Sequence, residues 1–293
     1  MPPGQWMQRK KGDTVFIAHI DSRGLRLHSR IPYPLNVLGS KYEYVLMKTL
    51  GYLTDKEWVY RFQIGRSIVG WLANRVVLPL IHGEVITPQE VEHMVSRLER
   101  EGQVIALGIC ECRHGENNMA SEMVDGIDPN YTCVMIGDWG RGHLSAYPHF
   151  YRRIEARELV ERAGFWHERG RILTGWGFTT AHGFLVSYCH CDPAYCVPLR
   201  NQMKRGNEVF SKGYRYAIVD AELCMGPGAC SFDCSSHCYF GAIAEREGKA
   251  YVDKERCHGC GQCFLYCPPG AAKALRREHH HMTYCAPDLL GYD

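Results

Sequence analysis

The sequence predicts an α+β protein with a helical N-terminal segment, a mixed middle domain and a small cysteine-rich C-terminal domain. Three observations lead to this prediction: helical periodicity near the N-terminus, strands alternating with helices in the middle, and an internal repeat near the C-terminus. The predicted boundaries are 1–86, 87–200 and 214–275, and a tail over 276–293 follows. A length of 293 residues agrees with a chain of about two globular domains plus smaller segments.

The composition is that of a globular protein, with 45% apolar and 23% charged residues. The net charge is +2, so the chain lacks the strongly basic balance that is typical of nucleic-acid binding. Fifteen cysteines are far more than ordinary usage and require disulfides, metal or both. The composition therefore disfavours a nucleic-acid partner and makes the cysteines the feature that a function must explain.

The start of the chain favours a cytoplasmic protein. Residues 1–12 contain three basic residues, but no apolar stretch with a small-residue cleavage site follows them. The cysteines are therefore expected to be reduced, and metal ligation is then their more common use. The most apolar window, at 68–81, is too short and too polar to cross a bilayer of about 30 Å, so no transmembrane segment is predicted.

The N-terminal segment is predicted to be mostly helical. A short strand at 13–20 and an extended loop at 30–39 are expected to precede helices at 40–50 and 55–78. The second helix has an apolar face rich in aromatic residues. This pattern favours core packing and leaves docking to a partner protein as the alternative.

The middle domain combines helices and strands. Its clearest helix signal lies at 87–101, where Thr87 is a predicted N-cap, Glu90 closes a capping box and Gly102 ends the helix. Cysteine pairs follow two of the predicted strands, and a single cysteine lies within a third. The other predicted elements are strands at 103–109, 131–136 and 184–188, a helix at 154–163 and a domain linker at 197–213.

The strongest motif is Cys257-x2-Cys260-x2-Cys263-x3-Cys267-Pro268. Three thiolates in a tight loop can wrap one face of an iron-sulfur cubane, and the fourth is suited to the other cluster of a pair. Zinc instead usually takes two separated Cys-x2-Cys knuckles. The motif therefore favours iron-sulfur chemistry, and hence transfer of single electrons.

An internal repeat accompanies this motif. Residues 217–220 followed by Cys224 match residues 250–253 followed by Cys257, a shift of 33 residues. The last cysteines of the two copies, Cys238 and Cys267, are 29 residues apart, so the first copy has four extra residues in its loop. The first copy reads Cys224-x5-Cys230-x3-Cys234-x3-Cys238.

Over about 60 residues these motifs resemble the bacterial two-cluster ferredoxins. The resemblance implies one [4Fe-4S] cluster held by Cys224, Cys230, Cys234 and Cys267, and a second held by Cys257, Cys260, Cys263 and Cys238. Two departures stand out. The looser first loop leaves open a different potential or a three-iron form for the first cluster, and Tyr239 replaces the usual proline after Cys238.

Six further cysteines lie in the middle domain. Soft ligands concentrated at the ends of strands are a costly and oxidation-prone choice for packing, so a metal site is favoured over buried or redox thiols. A third [4Fe-4S] cluster and a zinc ion each need four ligands, and thiolates suit both metals. The four ligands are expected from the set Cys110, Cys112, Cys133, Cys189, Cys191 and Cys196. Cys285 is assigned no metal.

The middle domain also resembles uncharacterised iron-sulfur proteins of anaerobic microbes. The residues that carry this resemblance are Cys110-Glu111-Cys112-Arg113, Cys133, the stretch 155–167 ending in Ala-Gly-Phe-Trp-His, and Cys189-His190-Cys191 with Cys196. Other residues interleave the last cysteines here, so the family's ligand set is not transferred. With the C-terminal repeat, the likeness covers roughly residues 100 to 275.

These features predict an electron-transfer subunit that relays electrons to or from a protein redox partner in an oxidoreductase complex of anaerobic metabolism. No nucleotide-binding or nucleophile motif is found, and no catalytic residue is assigned. One alternative is an enzyme whose middle-domain cluster has an open iron, with Arg113 binding an anionic substrate. The other is an iron-sulfur redox sensor.

Overall fold

The computed structural model of the protein describes residues 32–57, 61, 71, 81–178, 184–207 and 209–277. It has helices and several separate sheets, so the α+β prediction is confirmed. Its helices are α1 (Tyr33–Asp55), α2 (Pro88–Arg100), α3 (Glu111–Gly115), α4 (Gly137–Ala146), α5 (Ala156–Glu168), α6 (Val197–Arg205) and α7 (Gln262–Leu265). Its strands are β1 (Ile81–Ile86), β2 (Ile105–Ile109), β3 (Tyr131–Ile136), β4 (Tyr151–Arg153), β5 (Ile172–Phe178), β6 (Phe184–Cys191), β7 (Phe210–Ser211), β8 (Arg215–Val219), β9 (Ile243–Arg246), β10 (Lys249–Val252) and β11 (Ala272–Arg276).

A seven-stranded sheet forms the centre of the middle domain, in the order β4-β2-β3-β6-β5-β1-β7. Its neighbouring strands are antiparallel except for the β1–β7 pair. β2 is buried along its whole length, which requires cover on both faces of the sheet. The predicted strands at 103–109, 131–136 and 184–188 all belong to this sheet.

The two faces of the sheet have different neighbours. Alternate residues of β2 and β3, such as Leu107 and Val134, pack with Leu98 of α2 and Leu159 of α5. The residues between them point to the other face, where Cys133 packs in a cluster with Trp139 of α4. Because side chains alternate along a strand, β3 directs its cysteine away from the main apolar core.

The N-terminal part of the described chain differs from the expectation. The prediction of an extended loop at 30–39 is wrong from Tyr33 onward, because α1 begins there. Pro34 lies in the first turn of α1, where the missing N–H of proline costs no helical hydrogen bond. α1 packs against α4, and Trp139 donates from Nε1 to Glu43 Oε2 at 2.8 Å. The predicted strand at 13–20 and most of the helix at 55–78 lie outside the described residues.

The prediction of a linker at 197–213 is also wrong. Residues 197–205 form α6, which begins with a proline in its first turn and ends at Gly206 with a φ of +72°. α6 buries Val197 and Leu199 despite its polar composition. β7 then pairs with β1, and β1 lies in the central sheet although the sequence places residues 81–86 in the N-terminal segment.

The C-terminal domain consists of two short antiparallel ribbons. β8 pairs with β11, and β9 pairs with β10, so each ribbon joins one strand from each copy of the repeat. None of the helices formed by the described residues is long and apolar enough to cross a membrane.

Candidate iron-sulfur and thiolate sites

The two ribbons position the cysteines of the repeat. Cys224 follows β8 and Cys267 precedes its partner β11, so both cysteines lie beyond the same end of one ribbon. Cys257 follows β10 and Cys238 precedes β9, so this pair lies beyond one end of the other ribbon. Each ribbon thus brings the first cysteine of one copy and the last cysteine of the other to the same end. This topology agrees with the two interleaved ligand sets, which stay predictions.

Four thiols predicted to bind one cluster line a common cavity, which Cys234 of the other set also borders. Burial raises the pKa of Cys260 to about 12, and burial together with the charge of neighbouring cysteines raises the pKa of Cys263 further. Buried thiols of this kind become thiolates when a metal cation takes the place of the proton. The donor set therefore fits a metal cluster. The four thiols are those of Cys238, Cys257, Cys260 and Cys263.

The other predicted set contains no buried cysteine, whereas the first set contains the buried Cys257. Cys224, Cys230, Cys234 and Cys267 are all partly exposed. Burial raises the pKa of Cys234 to about 11, with further contributions from the charges of Cys224 and Cys230. These three thiols of the first loop therefore lie near one another, as a shared cluster requires.

Backbone N–H groups donate to the sulfur atoms of both sets. The N–H of Ala242 lies 3.2 Å from Cys238 Sγ, and that of Ala272 lies 3.3 Å from Cys267 Sγ. Such hydrogen bonds stabilise thiolate charge and adjust the reduction potential of a cluster. The last cysteine of each copy therefore has a donor suited to a bound thiolate.

The loop between Cys257 and Cys260 requires glycine at position 259. Gly259 has a φ of +74°, and a Cβ there would lie 2.0 Å from the carbonyl oxygen of Arg215. Gly248 has the same φ of +74°, but a Cβ there would have no other atom within 4 Å. The two glycines thus share a backbone conformation and differ in the space around them.

Replacing Gly259 with alanine is expected to remove the adjacent cluster, because the loop must move away from β8 to make room for the methyl group. Gly248→Ala is expected to keep the cluster, since it costs only about 1–2 kcal/mol of left-handed strain. Iron per chain and visible absorbance of anaerobically purified protein measure the difference. Equal iron content in the two variants would contradict this role of Gly259.

The six cysteines of the middle domain lie together and form a closed ring. The Sγ atoms of Cys189 and Cys133 are 3.9 Å apart, and each thiol shifts the pKa of the next one around the ring. The sequence predicted four ligands from this set, whereas all six take part in the ring. Their order is Cys110, Cys112, Cys196, Cys191, Cys189 and Cys133.

Secondary structure explains how residues so distant in sequence meet in this ring. Cys133 of β3 is directly opposite Cys189 of β6 in the antiparallel register. Cys110 is the N-cap residue of α3, and Cys196 is the N-cap residue of α6. β6 extends to Cys191, beyond the predicted end at 188, so its two cysteines lie within the strand on the face that carries Cys133.

The ring cannot carry thiolate charge on every member without cations. Hydrogen bonds from neighbouring thiols lower the pKa values of Cys110 and Cys191. The pKa values of the other four are raised, by the hydrogen bonds of neighbouring cysteines and, foremost for Cys196, by burial. Six soft donors in one ring, three of them buried, fit a site for a thiophilic metal.

Two side chains next to the ring, those of Arg113 and His190, make contacts with other residues. Arg113 donates to Asp192 Oδ2 at 2.7 Å, and its guanidinium lies 3.8 Å from the centre of the Tyr195 ring. His190 is buried, and its Nδ1 lies 2.9 Å from the carbonyl oxygen of Thr132. These contacts hold the walls of the ring in place.

Tyr239 lies between the ring and the C-terminal domain. It packs in an apolar cluster that contains Cys191 and Cys196 of the ring together with Cys238 and Cys260. Its hydroxyl is 3.5 Å from the carbonyl oxygen of Pro193. In the sequence, Tyr239 stood out only because it replaces the proline of ferredoxins. No sequence signal indicated that its side chain lies next to the ring.

His167 also joins the two domains. Its Nε2 donates to the carbonyl oxygen of Cys260 at 2.7 Å, because a carbonyl can only accept, and its Nδ1 then accepts from the Tyr266 hydroxyl at 2.9 Å. Gln262 Nε2 donates back to the carbonyl oxygen of His167 at 2.7 Å. α5 and the loop of one predicted cluster are therefore bonded to each other.

Comparisons with known proteins agree with this picture for the C-terminal domain. Residues 250–273 match the 4Fe-4S binding domain, which includes the second copy of the repeat from Cys257 to Cys267. An uncharacterized ferredoxin of Methanocaldococcus jannaschii is 42% identical over 52 residues, which make up 18% of this chain and 34% of that protein. The chain thus matches about a third of the length of this relative. The C-terminal part of the chain is a ferredoxin-like domain with a 4Fe-4S binding motif.

Proposed function

We propose that this protein transfers single electrons through two ferredoxin-type clusters and a third metal centre held by the cysteine ring. The observation that carries the proposal is the apolar cluster around Tyr239. It contains two cysteines of the ring, and Cys238 and Cys260 pack against it. Both belong to the predicted inner cluster, which is the set of Cys238, Cys257, Cys260 and Cys263. A short packed path between metal centres is what electron transfer requires, since clusters exchange electrons with little rearrangement.

The proposed point of exchange with a redox partner is the predicted outer cluster, which is the set of Cys224, Cys230, Cys234 and Cys267. Its cysteines are partly exposed, whereas Cys257 and three members of the ring are buried. Leu223 and Met225 flank Cys224 and are 48% and 47% exposed. Apolar side chains around a partly exposed cluster suit transient docking of another redox protein. Electrons would then pass from the outer cluster to the inner cluster and on to the ring.

The proposal includes a protein redox partner. α1 exposes several large apolar side chains, among them Leu38, Tyr42 and Leu46. Such a surface favours a protein partner, and an oxidoreductase complex is the class that matches an electron-transfer role. The proposed partner is a catalytic redox protein, with no substrate turned over by this chain itself.

The metal in the ring decides how far the electrons travel. An iron-sulfur cluster there would extend the path by a third redox centre. Zinc has no redox chemistry, so a zinc site would end the path at the inner cluster and leave the middle domain structural. We propose the iron-sulfur form, because the ring lies in the same apolar cluster as two cysteines of the predicted inner cluster, where a redox-active metal would extend the path.

The alternative of a substrate-binding enzyme loses one of its arguments. Arg113 was the residue proposed to bind an anionic substrate, but it is paired with Asp192 and stacked on Tyr195. Its guanidinium is almost buried, with 8% of its side chain exposed. The electron-transfer proposal uses Arg113 instead as a structural support of the ring.

Metal analysis of anaerobically purified protein tests the proposal. We expect about eight irons with matching sulfide from the two ferredoxin-type clusters, plus further iron and sulfide from the ring, and three redox centres in an EPR-monitored potential titration. About eight irons with one zinc and two redox centres would overturn the role of the ring. Fewer than about seven irons would overturn the two-cluster domain, because even a three-iron and a four-iron cluster together contain seven. Turnover of a small substrate by the purified chain would contradict the electron-transfer role itself.

A further inference from the structure

A second group of metal-binding side chains lies between α1, α3 and α4, and it contains no cysteine. His143 of α4 is fully buried, Glu111 of α3 has 6% of its side chain exposed, and Glu43 of α1 has 19%. One ligand atom from each side chain lies within 4.8 Å of the other two. Two carboxylates and an imidazole thus converge in a nearly buried place.

The hydrogen bond of His143 to the backbone shows which of its two ring nitrogens faces the carboxylates. Nδ1 lies 3.0 Å from the carbonyl oxygen of Trp139. A carbonyl only accepts, so Nδ1 carries a proton, and in the neutral form of the ring Nε2 presents a lone pair to the carboxylates. Nε2 is 3.2 Å from Glu43 Oε2 and 3.5 Å from Glu111 Oε1, and it is buried without a hydrogen bond. Nε2 and the two carboxylate oxygens therefore face one another and require a cation, which is either a proton on Nε2 or a metal ion.

We propose that Glu43, Glu111 and His143 bind one divalent transition-metal ion of the Fe²⁺, Mn²⁺ or Zn²⁺ class. Such ions take imidazole nitrogen and carboxylate oxygen at about 2.0–2.2 Å, which sets neighbouring ligand atoms about 3–3.5 Å apart. The separations of Nε2 from the two carboxylate oxygens, 3.2 and 3.5 Å, are of this size. The proposal is independent of the iron-sulfur function.

Each proposed ligand also makes a hydrogen bond to another residue, as the ligands of metal sites usually do. Trp139 Nε1 donates to Glu43 Oε2 at 2.8 Å, and the Tyr151 hydroxyl donates to Glu111 Oε1 at 2.8 Å. The backbone carbonyl of Trp139 fixes the tautomer of His143. These three hydrogen bonds orient the donor atoms toward one point before any ion arrives.

Charge balance favours a metal ion over a proton in this place. Two carboxylates with a protonated imidazole leave one negative charge unbalanced in a buried site, whereas a divalent ion with neutral imidazole balances both carboxylates. A single N–H at Nε2 can point at only one of the two carboxylates, and Nε2 makes no hydrogen bond with either of them. A proton is nevertheless the competitor: burial lowers the pKa of His143, but the nearby carboxylates of Glu111 and Glu43 raise it overall to about 10.

Dialysis of cluster-loaded protein against Mn²⁺, followed by metal and sulfide analysis, tests the site. Mn²⁺ is expected to occupy the site in those molecules that carry no metal there, and it binds weakly to the cysteine thiolates elsewhere in the protein. We compare Glu43→Gln, which keeps an acceptor for Trp139, with Glu161→Gln, which removes a helix carboxylate that is 60% exposed. Glu43→Gln is expected to hold about one divalent ion fewer per chain than wild type, counting only iron, manganese and zinc not matched by sulfide.

Equal metal content in wild type, Glu43→Gln and Glu161→Gln would overturn the proposal and assign the group to a shared proton. Visible absorbance of the clusters shows whether each variant is folded. A second readout uses wild type alone: pulsed EPR of retained Mn²⁺ should show coupling to one imidazole nitrogen, from His143. Retained Mn²⁺ without nitrogen coupling, or no retained manganese together with no sulfide-free iron or zinc, would also overturn it.

Discussion

Replacing Cys263 with serine is expected to remove one [4Fe-4S] cluster and so lower the iron content by about four atoms per chain. Cys263 shares a cavity with the other three thiols of the predicted inner set, and burial raises its pKa strongly. A serine hydroxyl is a much harder ligand with a far higher pKa, so it cannot replace a buried thiolate. Iron and acid-labile sulfide on anaerobically purified protein measure the loss.

Cys285→Ser is the matched control, because the sequence assigns this cysteine no metal. It should retain the iron content of the unmodified protein. Full iron in Cys263→Ser, or an equal loss in the two variants, would contradict the assignment.

Double variants then test whether the two ligand sets are interleaved. Cys238 is predicted to share a cluster with Cys263, although it belongs to the other copy of the repeat. Cys238→Ser combined with Cys263→Ser should therefore lose no more iron than either single variant. Cys267→Ser combined with Cys263→Ser should lose both clusters, about eight irons. The opposite pattern would show that each copy of the repeat binds its own cluster.

The C-terminal domain could be predicted from the sequence because its signals are local. Ligand spacing, the strand before the first cysteine and the strand after the last one all recur within each copy. The structure pairs these strands between copies, and the 4Fe-4S binding domain matches the second copy. The helix at 88–100 was predictable for the same reason, since Thr87 and Glu90 form the expected capping box.

The errors fall where local composition and tertiary packing disagree. The prolines near Tyr33 indicated an extended loop, yet proline is equally suited to the first turn of a helix. Residues 197–205 are polar enough to indicate a linker, yet two buried apolar residues are sufficient to hold α6 against the domain. Gln202 of this helix also lies 2.8 Å from His258 Nε2 in the loop of the predicted inner cluster.

The cysteine ring and the carboxylate–imidazole group illustrate a different limit. Spacing along the chain identified the six cysteines, but their order around the ring depends on the β3–β6 register, which pairs Cys133 with Cys189. Glu43 and His143 are 100 residues apart in the sequence and carry no motif. Sequence periodicity cannot bring such residues together, because their meeting depends on how α1 packs on α4.

Replacing any one of the six ring cysteines with serine is expected to deplete the metal of the third centre. Each thiol lies between two others in the closed ring. Removing any one thiol therefore opens the ring and leaves two neighbouring thiols without one of their partners. A site with only four ligands would behave differently, because two of the six substitutions would leave its metal in place. The series therefore separates a six-thiolate centre from a single cubane or a single zinc ion.

The measurement is the metal content of the six variants after the iron of the two predicted ferredoxin-type clusters has been subtracted. Cys112 and Cys189 occupy opposite places in the ring and come from different elements, so a four-ligand site that omits both is the simplest alternative. If these two variants alone keep full metal, the ring is a tetrathiolate site with two spare thiols. If all six lose more than half of it, the centre uses the whole ring, and its metal must be polynuclear, because one tetrahedral ion cannot accept six thiolates.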